Sequence, residues 1–365
     1  MFAHSRDIAP SLPGAMAGAF TFLHQGGWAG VDLFFVLSGF LVSGLLFDEH
    51  IATGAINLKR FFIRRGFKII PAFYVLVLVS VAYDLFLVHR VSASHLIHDV
   101  LFLQSYREGA WGHAWTLSVE VHFYLLLGLL LWYLSRHVPK SGQWLARLPA
   151  ILAGVLAMVL VARLINSGVR IGQNFNFRRE ICPTHLHLDV LAAGVLLRYL
   201  YTYHAERLEF LARGAIGGKI FWTVLALLLV APSAALWSHY SFVLTALIPT
   251  LNYLGFGILV ILATRAPFPA GGALAWLVKP MDYFGKHSYS IYLWHLPVKQ
   301  WVVEPLMPGA PGVLYFLVFV TASLIIGTLF SELLEMPILH LRNRLFPSRA
   351  KLNVPAGTET ATVPA

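Results

Sequence analysis

The feature that most constrains the fold is a long apolar run at residues 28–47, followed closely by a basic segment at residues 59–68. The run is long enough to cross a bilayer, which takes about 20 residues of helix. A second apolar run begins at Ile69. Because Lys and Arg in short loops favour the cytoplasmic side, the basic segment predicts which way the protein faces.

Composition extends this argument to the whole chain. Of the 365 residues, 58% are hydrophobic and 12% are charged, whereas a soluble domain has about 25% charged residues. The apolar runs contain Gly, Ala and Pro, which favours helices over the short alternating strands of a membrane barrel. The predicted fold is all-α, a polytopic transmembrane helical bundle with the stub of a first helix and nine full spans: 28–47, 69–88, 115–134, 149–165, 184–203, 220–237, 242–263, 288–303 and 313–330.

The remaining segments complete the predicted organisation. Residues 1–25 lack the features of a signal peptide and are interpreted as a loop with a stub before it. Residues 94–106 resemble an amphipathic connector. Residues 1–346 form one transmembrane domain, and the polar, Pro- and Thr-rich residues 347–365 form a disordered cytoplasmic tail.

The net charge of +10 does not indicate a nucleic-acid partner. The basic residues lie in short loops between apolar runs rather than along one soluble face. Alternate loops carry most of them when residues 59–68 are placed inside, and the C-terminus then also lies inside. A lone Cys182 excludes an internal disulfide, and no Cys/His spacing resembles a zinc site.

Glu120 is the strongest candidate among the ionisable residues, since a carboxyl inside a membrane span is costly. Helical spacing places Thr116 and Tyr124 on its face and Ser118 off it. Two interpretations stay open. Glu120 is either a carboxylate satisfied by Tyr and Trp donors near the interface, or a functional group that acts as a buried acid/base or orients a histidine.

The run at residues 28–47 contains two further polar candidates. Asp32 is either a solvated helix start or a group that lines a cavity. Ser38 lies beside Gly39, and such small residues let a neighbouring helix or a ligand approach closely. A nucleophilic role for Ser38 is disfavoured because no His or Lys lies within a helical turn.

Two late segments also contain candidates. His295 precedes Pro297 by two residues, so it is either a core histidine bonded to a freed carbonyl or a cavity-lining group. Glu332 and Glu335 lie where the last span ends, and we expect them to cap that helix or pair with Arg342.

The pattern His185-Leu-His187-Leu-Asp189 resembles a metal site only superficially. Residues two apart on a helix point about 200° apart, so only His185 and Asp189 share a face. Two ligands do not make a catalytic metal site, and no metal is predicted. Asp189 is expected to line a cavity together with Arg178 and Arg179.

The basic segment has two open interpretations. Anchoring to anionic lipid explains its charge without any ligand. On a helix, however, Arg65 and Lys68 share one face and Arg60 and Arg64 share another. That arrangement would clamp a phosphorylated ligand.

Several segments together resemble membrane-bound acyltransferase family 3, whose members O-acylate lipopolysaccharide, capsule and other surface glycans. Each segment is weak alone, and their combination is specific. The segments are Gly30-Val-Asp-Leu-Phe-Phe-Val-Leu-Ser-Gly-Phe-Leu41, Phe61-Phe-Ile-Arg-Arg-Gly-Phe-Lys-Ile-Ile-Pro71, Trp115-Thr-Leu-Ser-Val-Glu120, Leu188-Asp-Val-Leu-Ala-Ala-Gly194, Tyr289-Ser-Ile-Tyr-Leu-Trp-His295 and Glu335-Met-Pro337.

The resemblance implies roles for individual residues. His4 matches a histidine at the end of the family's first helix and would act as general base or as acyl carrier. Glu120 would orient or polarise it. The family's upstream Arg has no counterpart here, so we expect the first helix to be truncated.

The resemblance also implies the donor site. Acyl-CoA would dock from the cytoplasm on Arg64, Arg65 and Lys68. Lys68 stands where the family usually has Arg, which loses bidentate phosphate geometry.

The sequence therefore predicts a membrane O-acyltransferase of the bacterial inner membrane, with no bound cofactor. It would move an acyl group, expected to be acetyl, from cytoplasmic acyl-CoA to a hydroxyl of a surface glycan such as lipopolysaccharide, capsule or exopolysaccharide. Membrane lipids, acyl-CoA and the glycan are the expected partners. The alternative is a transporter of a lipid-linked sugar or small solute, a class that usually shows broken helices and internal repeats. The predicted cavity residues are Asp32, Ser38, Trp115, Ser118, Tyr124, Asp189 and His295.

Overall fold

The computed structural model describes residue 4 and residues 12–88, 92–137, 143–212, 216–235, 241–265 and 273–347. Regular structure in these residues is entirely helical. The first eight helices are α1 (Gly14–Gly26), α2 (Ala29–Thr53), α3 (Leu58–Tyr83), α4 (Ala93–Val100), α5 (Trp115–His137), α6 (Gln143–Gly168), α7 (Phe177–Glu180) and α8 (Leu188–Tyr203). The others are α9 (Glu209–Ala212), α10 (Ile216–Val230), α11 (Phe242–Arg265), α12 (Ala273–Lys286), α13 (Ser288–Pro297), α14 (Glu304–Leu306), α15 (Gly312–Phe330) and α16 (Met336–Leu345).

Seven helical segments within the described residues are long and apolar enough to cross a membrane. The chain is therefore an integral membrane protein, and seven of the nine predicted spans have a counterpart. The seven segments are Ala29–Thr53, Leu58–Val88, Gly112–His137, Trp144–Gly168, Gly217–Ala234, Phe242–Arg265 and Gly312–Leu345.

The other two predicted spans, 184–203 and 288–303, are helical but are not among these seven. Thr184–Leu186 forms a 3-10 turn, so α8 begins only at Leu188 and has 16 residues. At 1.5 Å per residue, that helix is about 24 Å long, less than the roughly 30 Å hydrocarbon core. The second segment divides into α13, with 10 residues, and a π-helix at Val298–Val303. The count of nine spans is not confirmed.

The basic segment is helical, which corrects its interpretation as a loop. The side chain of Asn57 caps α3 by accepting a hydrogen bond from the backbone N–H of Arg60. The helix then continues through Pro71, so residues 59–68 form the first turns of a span. The cations therefore have fixed directions on a helix surface.

The N-terminal prediction also changes. Residues 14–26, expected to be a loop, form α1. The first part of the predicted connector, up to Val100, is helical and belongs to α4. Most of the stub, residues 1–3 and 5–11, and residues 348–365 of the expected tail lie outside the described residues.

Helices α2 and α8 touch through their backbones. A Cβ atom added to Gly39 would stand 2.1 Å from the carbonyl oxygen of Leu191, and one added to Gly194 would stand 2.3 Å from that of Val36. Helices in lipid are not driven together by the hydrophobic effect, and small residues let their backbones pack closely instead. Only glycine fits at these two positions.

Contacts of α3 define two ends of the bundle. At its start, Lys68 forms an ion pair with Glu335, which also accepts a hydrogen bond from Ser290 near the start of α13. We call this the basic end. Near the other end of α3, Ser80 accepts a hydrogen bond from Trp111, which precedes α5. Helices α3 and α13 therefore run in the same direction, and α5 runs oppositely.

The glycine contact predicts a stability effect. We expect Gly194→Ala to lower the free energy of unfolding by about 1–3 kcal/mol, because the added methyl group overpacks a backbone contact. Gly30→Ala, also in this helix pair, is the control, since no atom lies within 4 Å of its added Cβ. Unfolding of the purified protein in detergent measures both. Equal stability of the two variants would contradict the packing argument.

Candidate active site

Three histidines from separate parts of the chain lie together at the end of the bundle opposite the basic end. The ring centroids of His4 and His295 are 5.2 Å apart, and those of His113 and His295 are 5.0 Å apart. His113 and His295 are buried. We call these three residues the histidine cluster.

Hydrogen bonds define which nitrogens carry protons in the cluster. Nε2 of His113 lies 3.1 Å from the carbonyl oxygen of Leu293, and Nδ1 of His295 lies 2.5 Å from that of Tyr292. A carbonyl oxygen only accepts, so each of these nitrogens is the donor. In the neutral rings, Nδ1 of His113 and Nε2 of His295 are therefore acceptors.

Neither acceptor nitrogen has a hydrogen-bond partner among the described residues. Buried polar atoms are normally paired, so an unpaired one calls for an explanation. Burial, followed by the influence of His113, lowers the pKa of His4 to about 3. The imidazole of His4 is thus neutral at pH 7, and the cluster offers lone pairs to a proton donor.

Glu120 lies in a second buried group. Its carboxylate accepts hydrogen bonds from Ser38 and from the hydroxyl of Tyr124, the latter at 2.6 Å. The Ser38 and Tyr124 hydroxyls also contact each other. The structure therefore brings together three of the predicted site residues. Helical spacing had predicted Tyr124 as a neighbour, whereas Ser38 comes from another helix.

The role of Glu120 as orienter of His4 stays a prediction. Within the described residues, the hydrogen-bond partners of Glu120 are Ser38 and Tyr124. A separate set of polar contacts joins α5 to the backbone beside the histidine cluster. One turn before Glu120, Thr116 contacts the hydroxyl of Tyr292 at 2.7 Å, and that hydroxyl lies 2.8 Å from the carbonyl oxygen of His113.

Two other predicted cavity residues have packing contacts. The hydroxyl of Ser118 accepts from the backbone N–H of Ser105 at 2.9 Å and donates to the carbonyl of Trp115. The ring of Trp115 packs edge-on against those of Phe35 and His187. Both side chains hold the start of α5 against its neighbours.

Asp32 is completely buried, which excludes the solvated helix start. Its carboxylate lies 3.1 Å from Nε2 of His187 and accepts from the side-chain amide of Asn252 at 2.7 Å. Asn252 in turn accepts from the hydroxyl of Ser233. Sequence reasoning missed these partners, because they come from three distant segments and α8 begins later than expected.

Asp189 binds Arg163, which corrects the predicted cavity with Arg178 and Arg179. Two hydrogen bonds of 2.6 and 2.9 Å join the carboxylate to the guanidinium, and both side chains are buried. Arg178 instead pairs with the exposed Glu108 at 3.1 Å. An Arg inside an apolar span was the available signal for this partner.

The His185 and His187 side chains serve different contacts. The ring of His185 stacks on Tyr106, with centroids 5.8 Å apart, whereas His187 faces Asp32. Within the part of the chain that the structure describes, no three His, Cys, Asp or Glu side chains are grouped so that they could hold a metal ion.

The predicted donor residues differ in how they are engaged. Lys68 pairs with Glu335, so the expected pairing of Glu335 with Arg342 is wrong. Arg64 donates to the carbonyl oxygen of Phe346. The guanidinium of Arg65 lies 5.9 Å from the ring centroid of Tyr124 and makes no hydrogen bond or ion pair to another described residue. Arg65 is therefore the most available of the three.

A small hollow borders these cations. Its walls come from the end of α2 and the start of α3, so apolar side chains of α2 and the basic face of α3 meet there. The lining residues are Leu45, Leu46, Glu49, Arg60, Phe61, Arg64 and Arg65.

The bundle has buried imidazoles at one end and cations at the other. These are features of an integral membrane enzyme that uses neutral imidazoles for proton transfer and cations to bind an anionic ligand. A family model described as an acyltransferase domain, Acyl_transf_3, matches residues 1–332. The chain belongs to this acyltransferase family, which confirms the resemblance.

Two relatives are similar over most of this chain. A peptidoglycan O-acetyltransferase, OatA, of Listeria monocytogenes is 25% identical over 362 residues, covering 92% of this chain and 56% of the relative. An O-acetyltransferase, OatA, of Staphylococcus aureus is 24% identical over 339 residues, covering 86% and 53%. The chain thus spans about half the length of these curated relatives. No solved structure matches it significantly.

The Asp189–Arg163 pair yields a test of the buried network. We expect Arg163→Met to destabilise the protein by about 3–5 kcal/mol, because it leaves a buried carboxylate without its counter-charge. Arg178→Met removes an exposed pair and should cost about 0–1 kcal/mol. Unfolding in detergent compares them, and the double variant Arg163→Met/Asp189→Leu should recover stability. A fully stable Arg163→Met variant would contradict this account.

Proposed function

We propose that the protein transfers an acetyl group from a cytoplasmic acyl-CoA to a hydroxyl of a cell-surface glycan. The observation that carries this proposal is the histidine cluster, with two unpartnered imidazole acceptors at the end opposite the basic residues. The relatives are named O-acetyltransferases, and the Listeria protein is named for peptidoglycan. Peptidoglycan is accordingly the first acceptor to test, ahead of lipopolysaccharide, capsule and exopolysaccharide.

The orientation follows from charge. The basic end faces the cytoplasm, because Lys and Arg near membrane spans favour that side. The histidine cluster then faces the outer half of a bacterial inner membrane. Acyl-CoA, anionic through its phosphates, approaches the cations, and the glycan arrives from the other side.

The donor site centres on Arg65. A guanidinium binds phosphate oxygens through charge-assisted hydrogen bonds, and Arg65 has no such bond within the described residues. Lys68 and Arg64 flank it, one held by Glu335 and the other by the carbonyl of Phe346. These two contacts hold the cations in a group at the mouth of the hollow.

The basic end and the histidine cluster lie close enough for one bound acyl-CoA to reach from the first to the second. On α13, Ser290 belongs to the basic end and His295 to the histidine cluster. Five residues of α-helix separate them, which is about 7.5 Å along the axis. An acyl chain that enters past the cations therefore reaches the imidazoles without crossing the whole membrane.

The reaction needs one base and one leaving group. A neutral imidazole of the cluster accepts the proton of the glycan hydroxyl while its oxygen attacks the thioester carbonyl. The C–S bond breaks, an ester forms, and the CoA thiolate leaves on the cytoplasmic side, where it takes up a proton. Both His4 and His295 are candidates for the base, and Glu120 lies in a separate buried group with Ser38 and Tyr124.

The base predicts a large loss of activity on substitution. We expect His4→Ala or His295→Ala, whichever removes the base, to reduce acetyl transfer by about 10²–10⁴-fold, the usual contribution of a general base. The assay follows label from acetyl-CoA into peptidoglycan fragments in membranes that contain the protein. His137→Ala is the control, since its ring stacks on Tyr133 at the opposite end of α5. Solute flux without acetyl-CoA consumption would contradict the proposal.

The donor site predicts an effect on substrate binding. Arg65→Gln should raise the KM for acetyl-CoA by about 10- to 100-fold, since a hydrogen bond to a charged group contributes about 1.5–3 kcal/mol. Arg136→Gln is matched in charge, and its guanidinium lies over Trp132 rather than at the hollow. Equal KM values for the two variants would show that the cations serve only as membrane anchors.

A further inference from the structure

A second cavity lies beyond the histidine cluster and has no role in the steps above. It encloses about 380 Å³ between the end of α3, the segment before α5 and the π-helix that follows α13. Pockets that hold small ligands have volumes of about 300–1,000 Å³. We call it the aromatic cleft, and the residues that define it are Tyr83, Asp84, Trp111, Gln300, Trp301 and Glu304.

Three aromatic rings form one wall of the cleft. The rings of Tyr83 and Trp301 stack with centroids 4.6 Å apart, and that of Trp111 meets Trp301 edge-on at 5.1 Å. The indole N–H of Trp111 donates to the hydroxyl of Ser80 at 2.7 Å, which fixes its orientation. The three rings therefore hold one another in place, and the parts of them that line the cleft give it an aromatic side among polar groups, suited to an amphipathic ligand.

The remaining groups are hydrogen-bonding side chains. The carboxylate of Asp84 has no hydrogen bond or ion pair within the described part of the chain. Glu304 lies 3.8 Å from the ammonium of Lys299, and Gln300 is exposed. Because Lys299 offsets the charge of Glu304, the set favours a neutral ligand rich in hydroxyl donors over a cation. Aromatic rings beside such acceptors suit a sugar, whose C–H groups pack on aromatic rings and whose hydroxyls donate hydrogen bonds.

The cleft adjoins the histidine cluster. The ring centroids of Trp111 and His113 are 6.2 Å apart, and His113 contacts His295. Trp301 and His295 lie on one continuous helical segment. A ring seated in the cleft would therefore lie next to the histidine cluster, with Trp111 between them.

We propose that the aromatic cleft is the acceptor subsite and binds one neutral pyranose ring of the glycan, an N-acetylated hexosamine included. This inference rests on the proposed function for its biological purpose, but its binding step does not. The tryptophan wall packs on the C–H face of the sugar, and Asp84 and Glu304 accept hydrogen bonds from its hydroxyls. An acidic sugar is disfavoured, because the two carboxylates repel it.

The test measures binding of a neutral oligosaccharide of N-acetylglucosamine to the full chain in detergent by calorimetry. We expect Trp301→Ala and Asp84→Asn each to raise the Kd at least tenfold. Trp301→Phe should give a Kd between those of the wild type and Trp301→Ala. Trp276→Ala is the matched control, since Trp276 is 81% exposed and lies on α12 away from the cleft. Thermal unfolding of every variant separates loss of binding from loss of fold, and Asp84→Asn conserves size.

The outcomes separate this inference from the proposed function. Wild-type affinity in folded Trp301→Ala and Asp84→Asn variants would overturn the subsite, as would binding of choline in preference to the oligosaccharide. Acetyl-CoA consumption by the wild-type protein is measured with and without the oligosaccharide. No consumption in the presence of the oligosaccharide, together with oligosaccharide binding that depends on Trp301, would overturn acetyl transfer and support the subsite.

Discussion

The backbone contact between α2 and α8 is the constraint on which the rest of the structure depends. Gly39 and Gly194 leave no room for a Cβ atom, so the two helices approach until their backbones touch. This approach buries Asp32 against His187 and completes a hydrogen-bond group that includes α11. The neighbouring Asp189 then binds Arg163 and ties in α6. Asp32 and Asp189 therefore each have a buried partner, as charged groups inside a membrane bundle require.

The short helix α13 connects the chemistry of the two ends. Its first turns face the ion pair of Lys68 and Glu335, and its last turn contains His295. The helix has 10 residues, so the cations and the imidazoles are brought closer than the thickness of a bilayer would suggest. The aromatic cleft begins directly after α13, so in the proposed reaction the donor and the acceptor would approach the same imidazoles from opposite sides.

Much of the membrane architecture could be predicted from local sequence. Apolar runs gave seven of the spans, because hydropathy over about 20 residues reports transfer into lipid without knowledge of neighbours. Helical periodicity also paired Glu120 with Tyr124, four residues on. Prediction failed for Asp32 and Asp189, whose partners come from distant helices. The length of the apolar run at residues 184–203 predicted a full span, but a 3-10 turn shortens the helix α8 there.

The sequence by itself determined the class of protein, the family and the basic face of α3, and it marked Glu120 as a candidate, since each depends on composition, order or spacing along one segment. Only the tertiary structure decided which side chains meet: Ser38 with Glu120, Lys68 with Glu335, and His113 with His295. The physical reason is that a hydrogen bond or an ion pair depends on distances of a few ångströms between helices. Those distances follow from packing, and no periodicity within one helix encodes them.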